Sequence, residues 1–596
     1  MKKLVFLIFT ALAGIALTGC IKDNVPVTLV SIAVTSQPIN KTYFVNESFN
    51  TAGMVVTATY NNDSTEPITI TDSMLRYDFS TAGTDKTVTI TYEDKSTTIT
   101  DITVNPIIFE LDVMVTGVYI YTGEPIEPSG TNVTVKADNV TLTEGNDYTL
   151  SYSDNTDIGT ATVTAIGTGN YTGSNGMASF IIFPPFSGAG TSTEPYEIGT
   201  SAQLAKLAEL VNAGNDNYIR QYYKLTADID LSDYGEGWNN GKGWIPIGRG
   251  FFGYFDGDNH KVTGLYINDD NLDFAGLFGA TFYGTVQNLN VDGKVVGRDF
   301  VGGLTGQVAY NGQIINCCVS GKVRGNDRVG GLAGSIEGYS FNVISCHTTN
   351  VVSGNEKVGG LVGSTSTGNI TNSYATGMVS GNYSIGGVAG YVSSSIVQNC
   401  YATGTVSGNE RVGGAVGNVA GSVYNCYATG KVSGNERVGG VAGGISNGSS
   451  VDYCYATGAV SSNGNYVGGI AGYVEGYGFV GIKSCVALNP NVTLTSGSAI
   501  GRVTVNGALD SNVAWNGMLV NGSIVTSNDG SSIHGADIDK FNAKTQLTYT
   551  DYHQFGLDWQ FGNEGYNTWK MGIGDYPLPV FWWQTKEPAA DITHLE

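Results

Sequence analysis

The sequence predicts an all-β chain: two antiparallel β-sandwich modules, then a long β-solenoid with one short capping helix. Three observations carry this expectation. The N-terminal region alternates apolar and β-branched residues with polar ones at period two. A Gly-Gly block returns at near-constant intervals between residues 274 and 472, and a repeat of that length means a solenoid or a propeller. Helical periodicity is clear in one place only, just after residue 200.

Composition agrees. The 596 residues include 84 Gly against 14 Pro, 41% are hydrophobic, and 34 are Tyr, which suits many short strands joined by Gly-containing turns rather than disorder. A formal charge of −23 argues against a nucleic-acid partner, because phosphate binding needs clustered Lys and Arg.

The elements follow in order. Residues 1–19 open Met1-Lys2-Lys3, run apolar from Leu4 to Leu17 and end at Thr18-Gly19, as a secretory signal peptide does. No segment reaches the roughly 20 apolar residues of a membrane helix. Leu17-Thr18-Gly19-Cys20 resembles the bacterial lipobox, which implies acylation of Cys20 and a tether over 20–26. Lys22-Asp23 resembles the short charged signal that sends lipoproteins of Bacteroidota to the outer face of the outer membrane. The resemblance implies a membrane contact through the lipid anchor alone.

Residues 27–105 read as the first sandwich, with Thr87-Val88-Thr89-Ile90-Thr91-Tyr92 entering a polar turn. Ser31-Ile32-Ala33-Val34 through Ser80-Thr81-Ala82-Gly83 resembles the bacterial Ig-like domains that recur as stalks on surface proteins. Residues 106–184 resemble a second such module, through Tyr121-Thr122-Gly123-Glu124-Pro125 and Gly169-Asn170-Tyr171-Thr172-Gly173; there Ala161, Val163 and Ala165 share one face. Each module reads as a spacer or a binding module. Pro184-Pro185 ends the ladder. Thr200 is placed to cap a helix, Gln203 to close a capping box, and Leu204, Leu207, Ala208 and Val211 fall on one face, as a lid over the first coil would need.

Val329-Gly330-Gly331-Leu332-Ala333-Gly334 recurs at 358–363, 385–390, 412–417, 438–443 and 467–472, with earlier forms at 301–306 and 274–279. The second half of the unit recurs as Asn399-Cys400-Tyr401-Ala402, Asn425-Cys426-Tyr427-Ala428 and Tyr453-Cys454-Tyr455-Ala456, with Asn372-Ser373-Tyr374-Ala375 as a Ser variant. These blocks resemble the GLUG-motif repeats of bacterial surface adhesins. The likeness covers about 185 to 583 and implies a parallel right-handed β-helix over 185–515 and a closing aromatic segment over 516–596. One repeat of this length fits one coil of three short strands. Relatives of the repeat also occur beside a peptidase domain in some secreted proteases, but no His-Glu-x-x-His is present here.

Parity places Cys400, Ala402 and Val406 inside the coil, and predicts that the seven cysteines between 317 and 485 are buried free thiols. It points Tyr374, Tyr401, Tyr427 and Tyr455 outward. Such a stripe is either an exposed ligand-binding face or a surface ladder that stabilises the sheet. The Glu-Lys and Glu-Arg turns at 356–357, 410–411 and 436–437 read as a solvated corner. Trp559, Trp569, Tyr576 and Trp582-Trp583 read as a plug over the last coil or as an aromatic sugar platform.

No chemistry is assembled by the five histidines, and no Gly-x-Ser-x-Gly elbow has a partner histidine nearby. Asp228 with Asp230, and Asp256 with Asp258, are the best paired carboxylates, in turn-rich positions where Asp is ordinary. The sequence therefore predicts a protein that is not an enzyme and needs no cofactor or metal: a surface adhesin binding a glycan or extracellular protein. A polysaccharide-binding or polysaccharide-degrading lipoprotein of a glycan-uptake system is the alternative.

Overall fold

A computed structural model describes residues 25–596 except 249, 339–340, 477–479, 563–567 and 589. Cys20 and the signal-like segment lie outside the described residues. The chain divides into two compact units at the Pro184/Pro185 boundary.

In the first unit, residues 29–105 form a three-stranded sheet facing a four-stranded one. Alternation sends Ile32, Val56, Ala58, Val88, Ile90, Ile99, Ile102 and Val104 into one core around Tyr43, Phe49 and Phe79. The Gly83–Tyr92 and Lys95–Asn105 strands close a hairpin in which Tyr92 faces Lys95, so Glu93 and Asp94 make the turn, Glu93 at φ 48°. Residues 112–183 repeat the two-sheet plan with three and four strands. As expected, Ala161, Val163 and Ala165 form its fully buried inner face. Asn170 ties the two sandwiches: its side chain accepts from the Ala82 amide and donates to the Ser80 carbonyl, both at 2.9 Å.

The second unit is a parallel β-solenoid of about 11 coils. Its strands join two long parallel sheets of 18 and 26 strands. Register steps by whole repeats: Ala333 pairs with Val362, Val362 with Ala389, and Ala389 with Val416. The Gly-Gly block marks a corner where chains touch. A Cβ on Gly386 would meet the Ala389 carbonyl oxygen at 2.0 Å, and one on Gly387 the Gly414 oxygen at 2.1 Å.

Helix α1 (Ser201–Asn212) covers the first rungs with Leu204, Leu207, Ala208, Leu210 and Val211. Thr200 accepts from the Gln203 amide at 3.2 Å, but the Gln203 side chain reaches one residue further back than the standard capping box, to the Gly199 amide at 2.9 Å. Asn212 pins the far end of the helix by bonding Pro246 and Gly248.

Inside the coils, Cys400, Ala402, Val406 and their equivalents are buried. Each stacked thiol donates to a carbonyl two residues earlier in its own chain, as Cys400 does to Gln398 at 3.1 Å. Ser373 makes the same bond to Thr371 at 2.7 Å, which explains why serine replaces cysteine there without disturbing the stack. The seven solenoid cysteines are all free, but only six are buried. Cys318 is the correction: it follows Cys317, so it points to the other face and is only partly buried. Beside the cysteines, Asn372, Asn399 and Asn425 hold left-handed corners at φ 50–55° and bond one another from coil to coil, Asn399 to Asn372 at 3.0 Å.

The charged turns are less solvated than expected. Arg411 lies over the Tyr383 ring and Arg437 over Tyr473, and both also reach Glu475.

Candidate functional site

The tyrosines do point away from the coil interior, and they stack. Ring centroids lie 4.6 Å apart for Tyr374–Tyr401, 4.9 Å for Tyr401–Tyr427 and 4.9 Å for Tyr427–Tyr455, with interplanar angles of 12° or less. His347 adds a ring below Tyr374 at 4.8 Å. The expectation of a continuous exposed stripe fails, however. Tyr401 is 6% exposed, and Tyr427 and Tyr455 are fully buried.

The cause is the C-terminal segment. It does not simply plug the last coil but runs back along the flank of the solenoid. Trp559, Trp569, Phe581 and Trp583 form a second row of rings, with successive centroids 4.8, 4.6 and 5.2 Å apart. This row meshes with the first: Trp569 contacts Tyr427 and Tyr455, and Phe581 contacts Tyr401 and Tyr427. Hydrogen bonds fasten the seam. The Tyr427 hydroxyl donates to Gln584 at 2.9 Å, and that of Tyr455 donates to the Pro579 carbonyl at 2.6 Å. Arg502, fully buried, holds the base of the closing segment through Asp537 and the carbonyls of His534 and Gly535. Burial pushes the hydroxyls of Tyr401, Tyr427 and Tyr455 well above the ordinary phenol range.

The cover ends at the ladder's first tyrosine, where Trp583 lies 6.3 Å from the Tyr374 ring. At that edge a cleft of about 460 Å³ opens between the coil corner (Ser345, Asn372, Tyr374) and the closing segment (Trp582, Trp583, Thr585, Lys586). Tyr374 is half-buried, stacked between His347 and Tyr401, and Trp582 is 46% exposed. Asn372 and Ser345 supply polar atoms on one wall and Lys586 a cation on the other. Trp583 Nε1 and Gln584 Nε2 are buried without a hydrogen-bond partner among the described residues. Aromatic walls with a few convergent polar groups, in a volume within about 300–1,000 Å³, are what small-ligand sites look like. Of the four candidate tyrosines, Tyr374 and the edge of Tyr401 line this cleft; Tyr427 and Tyr455 do not.

The other candidates disperse. Asp228 accepts from the Lys261 amide and pairs with His260 at 3.1 Å. Asp230 caps Ser232, Asp256 accepts from Gln287 and Asn288, and Asp258 pairs with Lys224. Each carboxylate thus serves a turn or a neighbouring coil, and no group of three or more metal-ligating side chains occurs among the described residues. A larger depression of about 490 Å³ lies between α1 and the Tyr234–Ile245 loop. Its polar side chains are already engaged, Lys206 with Glu209 and Asn212 with Pro246 and Gly248.

Sequence reasoning missed Trp582, Thr585 and Lys586 as partners of Tyr374, because no repeat register links the closing segment to a particular coil. It also missed Tyr283 and Tyr310, which lie in divergent coils where the Tyr-Ala-Thr-Gly block is absent. Their 27-residue separation, one repeat, was the available signal.

Comparison with known proteins places these parts. Residues 36–104 match the bacterial Ig-like domain (group 3). Residues 354–380, 381–407, 408–433 and 434–461 match the GLUG motif. Over 176 residues the chain is 32% identical to halomucin of Haloquadratum walsbyi, covering 24% of this chain and 2% of that protein. Over 127 residues it is 34% identical to a protein of Evansella cellulosilytica described as a Gly-rich membrane protein, covering 20% of this chain and 14% of the other. The chain thus spans a small fraction of the length of these curated relatives. Among solved structures, a Bacteroides ovatus chain described as an immunoglobulin A1 protease aligns at TM-score 0.31 and 23% identity, over 67% of this chain and 95% of that one. Another, described as IgA1 protease, aligns at TM-score 0.28 and 15% identity, over 72% of this chain and 28% of its own. The chain thus carries GLUG-motif repeats over residues 354–461 and, on their N-terminal side, a bacterial Ig-like domain over 36–104.

Proposed function

We propose that this chain is a non-catalytic cell-surface lipoprotein that binds a glycan through the solenoid, with the N-terminal sandwiches as a stalk. The observation that carries the binding role is the open cleft of Tyr374, Trp582 and Trp583 at the edge of an otherwise sealed aromatic seam. Sealing the seam needs no exposed Trp582; a ring left at 46% exposure suits a sugar ring stacked on one face. Lys586 suits a sugar that carries a carboxylate.

Anchoring through Cys20 at the outer face of the outer membrane is supported by Leu17-Thr18-Gly19-Cys20 and Lys22-Asp23. The names of the curated relatives, halomucin and a Gly-rich membrane protein, fit a surface setting. Fatty-acid labelling should mark the wild type and not Cys20→Ala.

The binding role is tested with the mature protein on an array of acidic and neutral glycans and matrix proteins. Trp582→Ala should abolish binding to acidic glycans while leaving thermal unfolding unchanged. Undiminished binding by that variant would remove the cleft from the function.

A further inference from the structure

The row of outward positions that carries the tyrosine ladder does not begin at Tyr374. Toward the first coils it continues, in register, through His347, Cys318, Asn290 and Lys261. Parallel pairing sets these side chains one above the other at about 4.8 Å per coil. The ladder itself is covered by the closing segment, whose ring row ends at Trp583 against Tyr374 and Tyr401. Below that point the row changes character. His347 still stacks on Tyr374 at an angle of 9°, but Cys318 is short, and Asn290 and Lys261 are polar. Lys261 is exposed and the other three are partly so.

Here the sheet surface is hollowed. A trough of about 400 Å³ crosses three coils and is lined by Lys261, Asn290, Asp292, Cys318 and Ser320. A single coil, that of His347, separates it from the cleft at Tyr374 and Trp582. A tyrosine in place of Cys318, as four later coils have at this register, would stand in the trough; the short side chain keeps it open.

The polar groups of the trough are under-used. Elsewhere on these coils carboxylates are paired with cations, Asp258 with Lys224, Asp273 with Arg298 and Asp270 with Arg324. The Lys261 ammonium makes no ion pair among the described residues. Asp292 accepts from the Ser320 hydroxyl and meets no cation among those residues. Asn290 donates through its amide nitrogen to the Asn259 carbonyl at 3.3 Å, which leaves its side-chain oxygen free to accept.

We propose that the trough and the cleft form one groove for the internal sugars of a linear acidic polysaccharide, laid along the solenoid axis from Trp582 past His347 to Lys261. This deepens the glycan-binding reading above and rests on it. Four coil steps separate Tyr374 from Lys261, about 19 Å, a length that several sugar rings fill. Lys586 at one end and Lys261 at the other suit carboxylates. Asp292 between them repels one, so charged sugars alternate with neutral ones whose hydroxyls meet Asn290, Asp292 and Ser320.

The test is isothermal titration of the mature protein with hyaluronan oligosaccharides, in which a uronic acid alternates with a neutral sugar, and with oligogalacturonides, in which every sugar is charged. Affinity for the alternating series should rise about tenfold or more from disaccharide to octasaccharide. Cys318→Tyr, which installs the residue the later coils carry, should reduce octasaccharide affinity to that of the disaccharide and leave the disaccharide unchanged. Lys261→Ala should weaken the octasaccharide alone, and it decides the matter if Cys318→Tyr does not fold. Trp582→Ala should abolish binding at every length. Affinity independent of length, an octasaccharide indifferent to both trough variants, or preference for oligogalacturonides overturns the groove and leaves the cleft standing. Octasaccharide binding that survives Trp582→Ala but is lost in the trough variants overturns the cleft, and the joint groove with it. Absence of binding of either series by the wild type overturns both.

Discussion

Two aromatic columns rise on the same solenoid by the same mechanism and meet opposite fates. Tyr374, Tyr401, Tyr427 and Tyr455 stack because parallel in-register strands repeat one side chain at one spacing; Tyr283 and Tyr310 stack for the same reason. The first column is sealed by Trp559, Trp569, Phe581 and Trp583, and the second stays bare. A repeat decides only that rings form a row. Whether the row becomes core or surface is decided by non-repetitive chain arriving from elsewhere, here from residues far downstream.

The comparison implies that the covered column carries stability and the bare one does not. The largest effect should come from Trp569→Ala, which removes a fully buried ring touching Tyr427, Tyr455, Trp559 and Phe581. Losses of this kind cost about 3–5 kcal/mol. Chemical denaturation of the solenoid unit reads it, and a cost below about 1 kcal/mol would mean that the closing segment is not docked on the column. Tyr427→Phe keeps the ring and deletes the hydroxyl, leaving Gln584 Oε1 with the Phe581 amide as its other partner. The expected cost is about 1–3 kcal/mol, smaller than that of Trp569→Ala.

Alkaline pH should separate the columns without mutation. Burial raises the folded-state pKa of Tyr401, Tyr427, Tyr455 and Tyr576. A phenol whose folded pKa lies above its unfolded value of about 10 contributes stability fully present below that pH and lost as pH rises toward the folded pKa. Unfolding midpoints should therefore hold below pH 10 and fall above it. Replacing Tyr427 with Phe should make the fall shallower, and an unchanged slope would exclude ionisation of the seam as its cause.

Much of the fold was legible because its signals are local and repeated. Val88 and Ile90 announce their inward face by alternation, Thr200 caps α1 as its position suggests, and the Cys400, Ala402, Val406 parity gives the coil interior. The interchange of Ser373 with cysteine became intelligible only with the carbonyl each one bonds. The site was half legible. Parity turns Tyr427 outward correctly, but outward is not exposed when another segment docks there, and Trp569 carries no register that assigns it to Tyr427 rather than to the last coil. The same blindness concealed the Tyr374–Trp582 cleft. Cys318 was misread because the burial of the repeat cysteines was extended to a neighbour of opposite parity.

The smallest expected effect is the most informative. Tyr283→Ala removes one of two coplanar exposed rings, leaving Tyr310 without its backing and Phe252 without its upper neighbour. Exposed cross-strand aromatic pairs contribute only about 0.2–1 kcal/mol, and part of that is returned because alanine tolerates the left-handed corner at φ 58° at lower steric cost than a bulky ring. The solenoid's stability should thus fall by less than about 1 kcal/mol, several-fold below Trp569→Ala under the same denaturant. A loss as large as that of Trp569→Ala would erase the distinction between the columns: Tyr283 would then be a structural ring, and its exposure an incidental feature of a stack that the coils need. A small loss would leave the bare column without a stability role, in contrast to the covered one.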